Sequence, residues 1–380
     1  MGACLQGLRQ GLRNTVPVEL PGYSEAVRMP YYALAPSTGS GQAPSTGPGQ
    51  ASEAGDLFDT GRFLRLIPEA AAEALGQAGL TAAERRGMAV CVGSTAFGVS
   101  RAEGEYLAVL AREPGAAFAL PRVGFGEITD RLREAFGLEG RDYSFNTACT
   151  ASANALLAAQ RLISLGRAEH ALVLGLELAN RTTITGFSGL QLLSQELRPF
   201  DAARDGIVLG EGLGAVVLSA RPGGLGLGLA GGASNSDTFS VTTANPDGSS
   251  IAALQRAVLA RSGLRPGQIR AIKAHGTASP MNDSGEAAGL RRVFDPMPPL
   301  LALKPYLGHT LGACGAIELA LLGGCLRQGF LPATLGFSRA DPALGVAPLT
   351  AEAPAPPGHY LLNYFGFGGS NTALLLEKTA

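Results

Sequence analysis

The stretch SFNTACTASANALLAAQ, residues 144–160, decides the fold class, because an apolar strand ends there and a helix of small residues begins. Cys149 stands at this junction, where it would face unpaired backbone amides and the positive end of the helix dipole. Both favour a thiolate over a thiol, and the small flanking residues leave room for a substrate to reach the sulfur. Cys149 is therefore a candidate nucleophile; an inert buried cysteine is the alternative for a cysteine taken alone.

Strands and helices alternate outward from this junction. Their apolar runs are typical of sheets that are covered by helices on both faces. The predicted strands are 88–94, 143–147, 170–178, 214–219, 224–232, 269–276, 300–306, 361–367 and 372–377. The predicted helices are 61–78, 125–136, 150–166, 249–262, 283–294 and 312–328. Two βα halves of similar length, residues 1–222 and 223–380, indicate a duplicated α/β architecture.

The composition fits two domain-sized halves and excludes one class of partner. Of 380 residues, 46% are hydrophobic and 16% are charged, which is enough apolar material for a large core. Thirty basic residues against 31 acidic ones give a net charge of −1. This balance offers no electrostatic footprint for nucleic acid or for an anionic membrane surface. The sequence therefore excludes a nucleic-acid-binding protein.

The cysteines and the apolar runs indicate the compartment. The five cysteines are odd in number, widely spaced and without a CxxC pair, so neither a disulfide framework nor a zinc ribbon is indicated. No apolar run reaches the ~18 residues of a membrane helix, and the N-terminus lacks the apolar run of a signal peptide. We expect a soluble, cytoplasmic protein. A tandem octapeptide at 35–50, within a low-complexity stretch at 35–55, is expected to be a surface loop.

Two histidines and a lysine stand in glycine-flanked turns of the second half. His275 ends the strand IRAIKAHG, and His309 follows Lys304 by five residues in LKPYLGH. The carboxyl ends of parallel strands meet on one side of a sheet, which is where sites form in α/β proteins. Only three lysines occur in the chain, so a lysine in such a turn is a candidate for a specific role. With Cys149, these residues form a candidate catalytic constellation.

A glycine cluster, NYFGFGGSN at 363–371, lies near the end of the chain. It does not fit a phosphate-binding loop, because no Lys–Ser/Thr pair and no helix follow it. It fits a turn between two strands in which the backbone of Gly366 and Gly368 approaches a ligand closely.

These motifs together resemble those of the β-ketoacyl-acyl-carrier-protein synthases, in the elongating Cys–His–His class. The resemblance rests on NTACTAS around Cys149, AHGTAS at His275, LKPYLGH, FGFGGSN and the block at 198–218, and it covers about residues 56–378. It implies a thiolase-like layered αβαβα fold built from two pseudo-duplicated βαβαβαββ halves, usually paired as a homodimer. It also implies a phosphopantetheine-bearing acyl carrier protein as partner, and no metal or cofactor.

The resemblance assigns roles to individual residues. Cys149 would take the acyl chain, His275 and His309 would stabilise the enolate formed when a malonyl group loses carbon dioxide, and Lys304 would act through its charge. The remaining positions would bind substrate or support the site. They are Thr277 and Ser279 for the pantetheine arm, Phe367 for the oxyanion hole and a gate, Ala96 and Phe97 for the acyl pocket, and Glu318 and Asp283 for the supporting network.

The chain departs from the family pattern in three places. The family opens with a glycine-ended strand that we expect centrally in the first sheet, whereas residues 2–12 look like the helix that follows it. The stretch at 52–61, where the family is usually basic, is acidic here, and Gln191 replaces a frequent arginine. Ala96 and Phe97 differ from the usual acyl-pocket pattern. These departures favour a specialised, polyene- or polyketide-type pathway over fatty-acid synthesis.

Two other functions remain as alternatives. A non-catalytic subunit like the chain-length factors would share the fold, but such subunits typically lose the cysteine that this chain keeps. A degradative thiolase uses a second cysteine near the C-terminus, whereas the last cysteine here, Cys325, lies far from the FGFGG turn. The sequence therefore favours a condensing enzyme, as a homodimer or as part of a heterodimer.

Overall fold

The computed structural model describes residues 15–20, 27–33, 57–58, 61–113, 115 and 124–379. These residues form two mixed β-sheets with helices between and outside them. The expected loop at 35–55 and the N-terminal stretch at 2–12 lie outside the described residues. No helix in the described part of the chain is long and apolar enough to span a bilayer.

The first sheet has the strand order β4-β3-β5-β6. Strands β3, β4 and β5 run parallel and β6 pairs antiparallel with β5. Every residue of β3 and β5 is buried, as expected for strands with helices on both faces. The strands are β3 (Ala89–Gly93), β4 (Asp142–Phe145), β5 (His170–Glu177) and β6 (Gly212–Ser219).

The second sheet repeats this arrangement with one more strand, in the order β7-β13-β12-β8-β9. Strands β12, β8 and β9 are parallel, and β13 pairs antiparallel with both β12 and β7. The strands are β7 (Leu227–Ser236), β8 (Ile269–Lys273), β9 (Leu300–Leu301), β12 (Gly358–Phe365) and β13 (Ser370–Lys378). Two small antiparallel pairs lie outside the sheets: β1 (Thr15–Leu20) with β2 (Val27–Tyr32), and β10 (Phe330–Leu331) with β11 (Ala353–Pro354).

The expectation that the family's opening strand lies centrally in the first sheet is wrong. Its four described strands are contiguous, and the first strand of the second half, β7, lies at the edge of its sheet beside β13. By the same scheme, an opening strand of the first half would lie outside β6, at an edge. Its lack would leave an open edge and would not interrupt the hydrogen-bonded ladder between central strands.

Ten helices occur in the described part of the chain. Two of them, α5 and α10, lie between the sheets and are largely buried. The helices are α1 (Gly61–Ala78), α2 (Ala82–Arg86), α3 (Phe97–Arg112), α4 (Gly126–Phe136), α5 (Ala151–Ser164), α6 (Arg181–Gly189), α7 (Ser249–Arg261), α8 (Pro280–Arg291), α9 (Lys304–Leu307) and α10 (Cys314–Arg327).

Helices α5 and α10 pack backbone against backbone. A Cβ at Gly315 would lie 2.1 Å from the nitrogen of Ala153, so only glycine fits at this crossing. The hydroxyl of Ser152 accepts a hydrogen bond from the amide of Ala316 at 3.1 Å. The first half and the second half therefore meet through their most buried helices, each of which leads into the site.

The structure corrects one predicted strand and adds four helices that were not predicted, α2, α3, α6 and α9. The strand predicted at 300–306 ends at Leu301, because Lys304 and Pro305 open the short helix α9. Helix α6 was not predicted because its sequence, RTTITGFSG, is rich in threonine and glycine, which are poor helix formers. The other predicted strands and helices are present, with ends shifted by a few residues.

Candidate functional site

Cys149 lies in a 3₁₀ turn, Ala148–Thr150, that runs directly into α5. Ala148 before it adopts a left-handed backbone with φ of 49°, which turns the chain sharply between β4 and the helix. The cysteine side chain is buried and packs in a cluster with Ala278 and Leu311. Since these two residues follow His275 and His309 closely in sequence, the predicted nucleophile and the histidine loops meet in one place.

The environment of Cys149 favours the thiol in the unliganded protein. Burial, with a smaller contribution from Cys314, raises the pKa of the Cys149 thiol to about 12. The Lys304 charge and the backbone N–H of Phe367, which hydrogen-bonds the sulfur, act in the opposite direction. The expectation of a resting thiolate is therefore wrong, because loss of hydration outweighs the helix dipole and the neighbouring cation.

The glycine turn brings Phe367 to the sulfur. After β12 the chain forms a 3₁₀ turn, Phe367–Gly369, closed by a hydrogen bond from the Gly366 amide to the Ser370 carbonyl of 2.7 Å. Gly369 has φ of 73°, and a Cβ there would lie 1.8 Å from the carbonyl oxygen of Asp237. The Phe367 ring stacks on Phe187 with centroids 5.4 Å apart. The turn thus brings the Phe367 amide to the Cys149 sulfur and the Phe367 ring to Phe187.

The rings of His275 and His309 lie edge to face, with centroids 5.4 Å apart. Nδ1 of His275 accepts from the Lys304 ammonium at 3.3 Å, and Nδ1 of His309 accepts from the Leu311 amide at 3.3 Å. With both Nδ1 atoms accepting, each neutral ring carries its proton on Nε2. Burial, and then the positive charge of Lys304, lowers the pKa of both imidazoles well below the usual value. The pair therefore consists of two neutral rings with an Nε2–H donor each.

His309 is held between the two halves of the chain. Its amide donates to the Val208 carbonyl at 2.8 Å, and its carbonyl accepts from the Gly210 amide at 3.1 Å. These residues belong to the block at 198–218, whose role was not evident from the sequence. Cys314, also unassigned from the sequence, places its sulfur 3.4 Å from Nδ1 of His309 and accepts from the Thr310 hydroxyl at 3.4 Å.

Glu318 is shared by two buried lysines. One carboxylate oxygen accepts from Lys304 at 2.9 Å and the other accepts from Lys273. All three side chains have at most 1% of their surface exposed. Although burial raises it, the two ammonium groups hold the pKa of Glu318 below its usual value. Glu318, predicted as part of the supporting network, thus pairs with Lys304, and Lys273 is an additional member that the sequence did not predict.

Two buried carboxylates hold the loop after β8. Glu286 accepts from the amides of His275 and Gly276 at 2.9 and 3.0 Å. Asp283 accepts from the amides of Thr277 and Phe200 at 3.1 and 2.8 Å. Burial raises the pKa of Asp283 to about 7. Asp283, predicted as part of the supporting network, thus positions backbone and does not contact the lysines by hydrogen bonds.

The remaining predicted residues are placed around this centre in different ways. Thr277 is buried beside Asp283, and Ser279 lies half-buried at the start of α8. The amide of Ala96 donates to buried Glu177 at 2.9 Å. Phe97 packs in the apolar core of the first half, with its ring centroid 6.4 Å from that of Phe125. Gln191, at the end of α6, is exposed.

Metal binding has no support in the described part of the chain, where no group of three or more His, Cys, Asp or Glu side chains is arranged to hold an ion. The chemistry that the arrangement supports is that of one cysteine thiol packed against the loops that carry two neutral imidazole N–H donors. The Phe367 amide lies at the Cys149 sulfur, and the buried ammonium of Lys304 contacts Nδ1 of His275.

Comparisons with known proteins agree with this geometry. Residues 51–222 match the family described as "Beta-ketoacyl synthase, N-terminal domain", and residues 228–338 match its C-terminal domain. The 3-oxoacyl-[acyl-carrier-protein] synthase 2 of Vibrio cholerae is 29% identical, over 83% of this chain and 82% of that enzyme. The mitochondrial 3-oxoacyl-[acyl-carrier-protein] synthase of Arabidopsis thaliana is 30% identical, over 69% of this chain and 61% of that enzyme. The solved ishigamide ketosynthase/chain length factor superposes with a TM-score of 0.82 at 25% identity, covering 100% of this chain and 95% of that one.

Proposed function

Since this chain belongs to the β-ketoacyl synthase family, we propose that it condenses malonyl and acyl units held on an acyl carrier protein, with Cys149 as the nucleophile. The reaction is a decarboxylative Claisen condensation, and the enzyme is an acyltransferase. No cofactor takes part in the proposed steps.

The first step transfers the acyl chain to Cys149. The thiol loses its proton and attacks the acyl thioester, and the phosphopantetheine thiol leaves. The amides of Cys149 and Phe367 are the donors for the oxyanion of this step, since the Phe367 amide already hydrogen-bonds the sulfur. Lys304 and the turn at the start of α5 stabilise the thiolate as it forms.

The second step uses the two histidines. A malonyl thioester loses carbon dioxide, and negative charge develops on the thioester oxygen. The Nε2–H groups of His275 and His309 donate to this oxygen, and the carbanion attacks the acyl group on Cys149. The bond from Cys149 to the acyl carbon breaks, and the extended β-ketoacyl chain leaves on the carrier protein. The observation that carries the proposal is that both Nδ1 atoms are occupied as acceptors, which leaves the Nε2–H of each neutral ring as the donor for this oxygen.

Other predicted roles fit this scheme. Thr277 and Ser279 lie on the loop behind His275, where their hydroxyls are proposed to bind the pantetheine arm. Phe367 is proposed as a gate that swings when the acyl chain enters, and its stacking on Phe187 is the closed position. Ala96 and Phe97 stay proposed contacts of the acyl pocket.

The proposed partners are an acyl carrier protein and a second ketosynthase-type chain. The curated relatives are named for acyl-carrier-protein substrates, and one solved neighbour is a ketosynthase/chain length factor. A homodimer or such a heterodimer is the proposed assembly. The four described cysteines are free, which supports a reducing compartment, the cytoplasm, as the site of the reaction.

A non-catalytic chain-length-factor role is less well supported. The histidine pair, the buried lysines and the cysteine with its hydrogen-bonding amide are all assembled, and a subunit without catalysis has no use for this geometry. A thiolase mechanism requires a second cysteine as base beside the glycine turn. Cys314, the second cysteine of the site, lies against His309 and is held by Thr310.

Intact-mass analysis tests the proposal. The protein is mixed with acyl-carrier proteins bearing acyl chains of different length, and the mass increase is assigned to a peptide. Acylation of Cys149, followed by release of a β-ketoacyl product when malonyl-carrier protein is added, is the expected result. Absence of acylation with every chain in the panel, while malonyl-carrier protein is also left intact, contradicts it.

A further inference from the structure

The buried ionic network of the site contains two cations and one anion. Lys273 contacts Glu318, donates to the Asn363 carbonyl at 2.7 Å and lies 3.7 Å above the centre of the Tyr364 ring. Lys304 contacts the other oxygen of Glu318. Both lysine side chains are fully buried, so solvent does not screen them. A single carboxylate neutralises one ammonium and leaves the other in excess.

The neighbouring carboxylates Asp283 and Glu286 make no hydrogen bond to either lysine. Both accept from backbone amides, Glu286 also accepts from the Asn363 side chain, and burial raises the pKa of both, although the charge of Lys273 opposes this for Glu286. Burial and the repulsion of Lys304 lower the pKa of Lys273 to about 8, although Glu318 opposes this. Glu318 instead raises the pKa of Lys304. At pH 7 the Lys273–Glu318–Lys304 network therefore carries a net charge of +1.

Resting on the proposed function, we propose that Lys273 is a positioning residue with two effects. It supplies the excess positive charge of the network, and by pairing with Glu318 it allows Lys304 to contact His275 as well. It does so by occupying one oxygen of Glu318, so that Lys304 keeps only the other oxygen and directs a further N–H to Nδ1 of His275. The excess positive charge then stabilises the two anions of the reaction, the thiolate and the enolate.

The expected size of this effect follows from Coulomb's law. A unit positive charge at a separation on the order of 8 Å, in an effective dielectric of about 20, changes the equilibrium constant for forming an anion by roughly 30-fold. Relaxation of the surroundings reduces this value, so a change on the order of 10-fold in thiolate population and in decarboxylation rate is expected. A purely structural lysine would change neither quantity once the variant has folded.

Three variants test the charge separately from the contacts. Lys273→Met removes the excess charge and leaves Glu318 paired with Lys304. The double variant Lys273→Met with Glu318→Gln returns the network to a net charge of +1, now carried by Lys304 alone. Lys378→Met is the matched control, because Lys378 lies at the end of β13 and donates only to the Ala355 carbonyl in the structure. Thermal unfolding verifies that each variant is folded. If the Lys273→Met protein is not folded, Lys273→Gln replaces it, because glutamine keeps a donor for the Asn363 carbonyl.

The readouts are the rate of Cys149 alkylation by iodoacetamide at pH 7, resolved by peptide mass, and the rate of malonyl-carrier-protein decarboxylation. Alkylation reports the thiolate population, which the charged groups around Cys149 set: Lys304, Glu177 and, when ionised, Cys314. Lys273→Met is expected to lower both rates about 10-fold, the double variant to restore most of the alkylation rate, and Lys378→Met to change neither.

Two results overturn the inference. One is an unchanged alkylation rate in folded Lys273→Met protein, and the other is a double variant that alkylates no faster than the single one. Because alkylation needs no carrier protein, the series remains decisive even if the wild-type enzyme proves unable to take an acyl chain or to decarboxylate malonyl. A wild-type enzyme that takes no acyl chain and does not decarboxylate malonyl would contradict the proposed function. The alkylation rates of the variants would still measure the effect of the network's charge on Cys149.

Discussion

At the scale of the residue, the cost of losing Lys304 depends on the second cation beside Glu318. Removing the only partner of a buried charge costs roughly 3–5 kcal/mol. Lys273 remains on the other oxygen of Glu318, so Lys304→Ala should lose clearly less stability than this. The variant should still lose most of its condensing activity, because Nδ1 of His275 loses its donor.

Lys304→Arg should impair condensation nearly as strongly as Lys304→Ala. The side chain is fully buried between Glu318 and His275, and a planar, forked guanidinium is larger than the compact ammonium. Steady-state condensation rates, together with urea unfolding of both variants, check this pair of predictions. An arginine variant that turns over at close to the wild-type rate would show that charge alone suffices.

Cys149→Ala separates the two half-reactions. The variant should take no acyl chain, since the nucleophile is gone, yet it should still decarboxylate malonyl-carrier protein, because the Nε2–H donors of His275 and His309 remain. Intact-mass analysis measures the first activity and carbon dioxide release measures the second. Loss of both activities in a folded protein would place the cysteine in the decarboxylation step as well.

The sequence predicted the reacting side chains better than their environment. Cys149, His275 and His309 could be found because each follows the end of a strand or precedes a helix in a turn of small residues. Lys273 lies inside the strand β8, where a residue two positions before His275 offers no turn signal. The only signal was the scarcity of lysine, which applied equally to Lys304. The raised pKa of Cys149 depends on burial from the whole fold, which no local pattern contains.

At the scale of the element, the glycine turn after β12 offers a matched pair of substitutions. Gly368 and Gly369 both have a left-handed backbone, but only Gly369 has a backbone carbonyl, that of Asp237, within reach of an added Cβ. Gly368→Ala should cost ~1–2 kcal/mol through backbone strain, and Gly369→Ala about 3–5 kcal/mol because the turn must move. Urea unfolding measures both. Equal losses would mean that the segment around Asp237 yields to the methyl group.

Asp283, which holds the loop after β8, is expected to make the stability of the protein depend on pH. The pKa of Asp283 is about 7 in the folded protein, above its ordinary value of 3.8, so the native state binds the proton more tightly than the unfolded chain. The resulting stabilisation is complete below about pH 4 and is lost as the pH rises through about 7, by up to roughly 4 kcal/mol. Asp283→Asn should flatten this slope.

The measurement is the free energy of unfolding of wild type and Asp283→Asn at intervals from pH 4 to pH 8. The difference between the two proteins isolates the contribution of Asp283 from those of other carboxylates. A difference that does not change over this range would mean that Asp283 is ionised at neutral pH, and that the amides of Thr277 and Phe200 stabilise its charge.

Among the elements, most helices and central strands were predicted, whereas helices α2, α3, α6 and α9 were not. Helix α1 was predicted with its observed ends because its apolar residues recur at helical spacing. Helix α6, with the sequence RTTITGFSG, was missed because β-branched residues and glycine are poor helix formers, and an Asn180 cap supplies part of its stability. The strand predicted at 300–306 was too long because the apolar run continues to Leu303, two residues beyond the observed end of β9.

At the scale of the whole molecule, β4 is one of the two edge strands of the first sheet as described, and we expect the chain to pair with a second copy through it. The carbonyl of Arg141 accepts from Val90 of β3, and the carbonyl of Phe145 accepts from Ser94 in the loop between β3 and α3. Since successive residues of a strand point their backbone groups to opposite sides, the amide of Ser144 points away from the sheet. Ser144→Pro removes that outward donor without removing a hydrogen bond to β3. The variant should dissociate to monomers at concentrations where the wild type is dimeric, as measured by native mass spectrometry. A dimer of undiminished stability would place the interface elsewhere.

The duplicated architecture was visible in the sequence, whereas the order of strands was not. Alternating strands and helices on either side of residues 222–223 give the two halves, because each half repeats the same pattern of apolar segments. Strand order depends on crossovers that place β12 beside β8 and β7 at the far edge. The expectation of a central opening strand failed for this reason.

The contact between α5 and α10 has a consequence for how such an enzyme can diversify. Cys149 precedes one of these helices and Glu318 lies on the other, and their separation is set by main chain touching main chain at Gly315 and Ala153. Side chains on the outer surface can be exchanged over generations without altering that separation. New substrates and new carrier proteins can thus be acquired at the periphery while the reacting groups keep an inherited spacing.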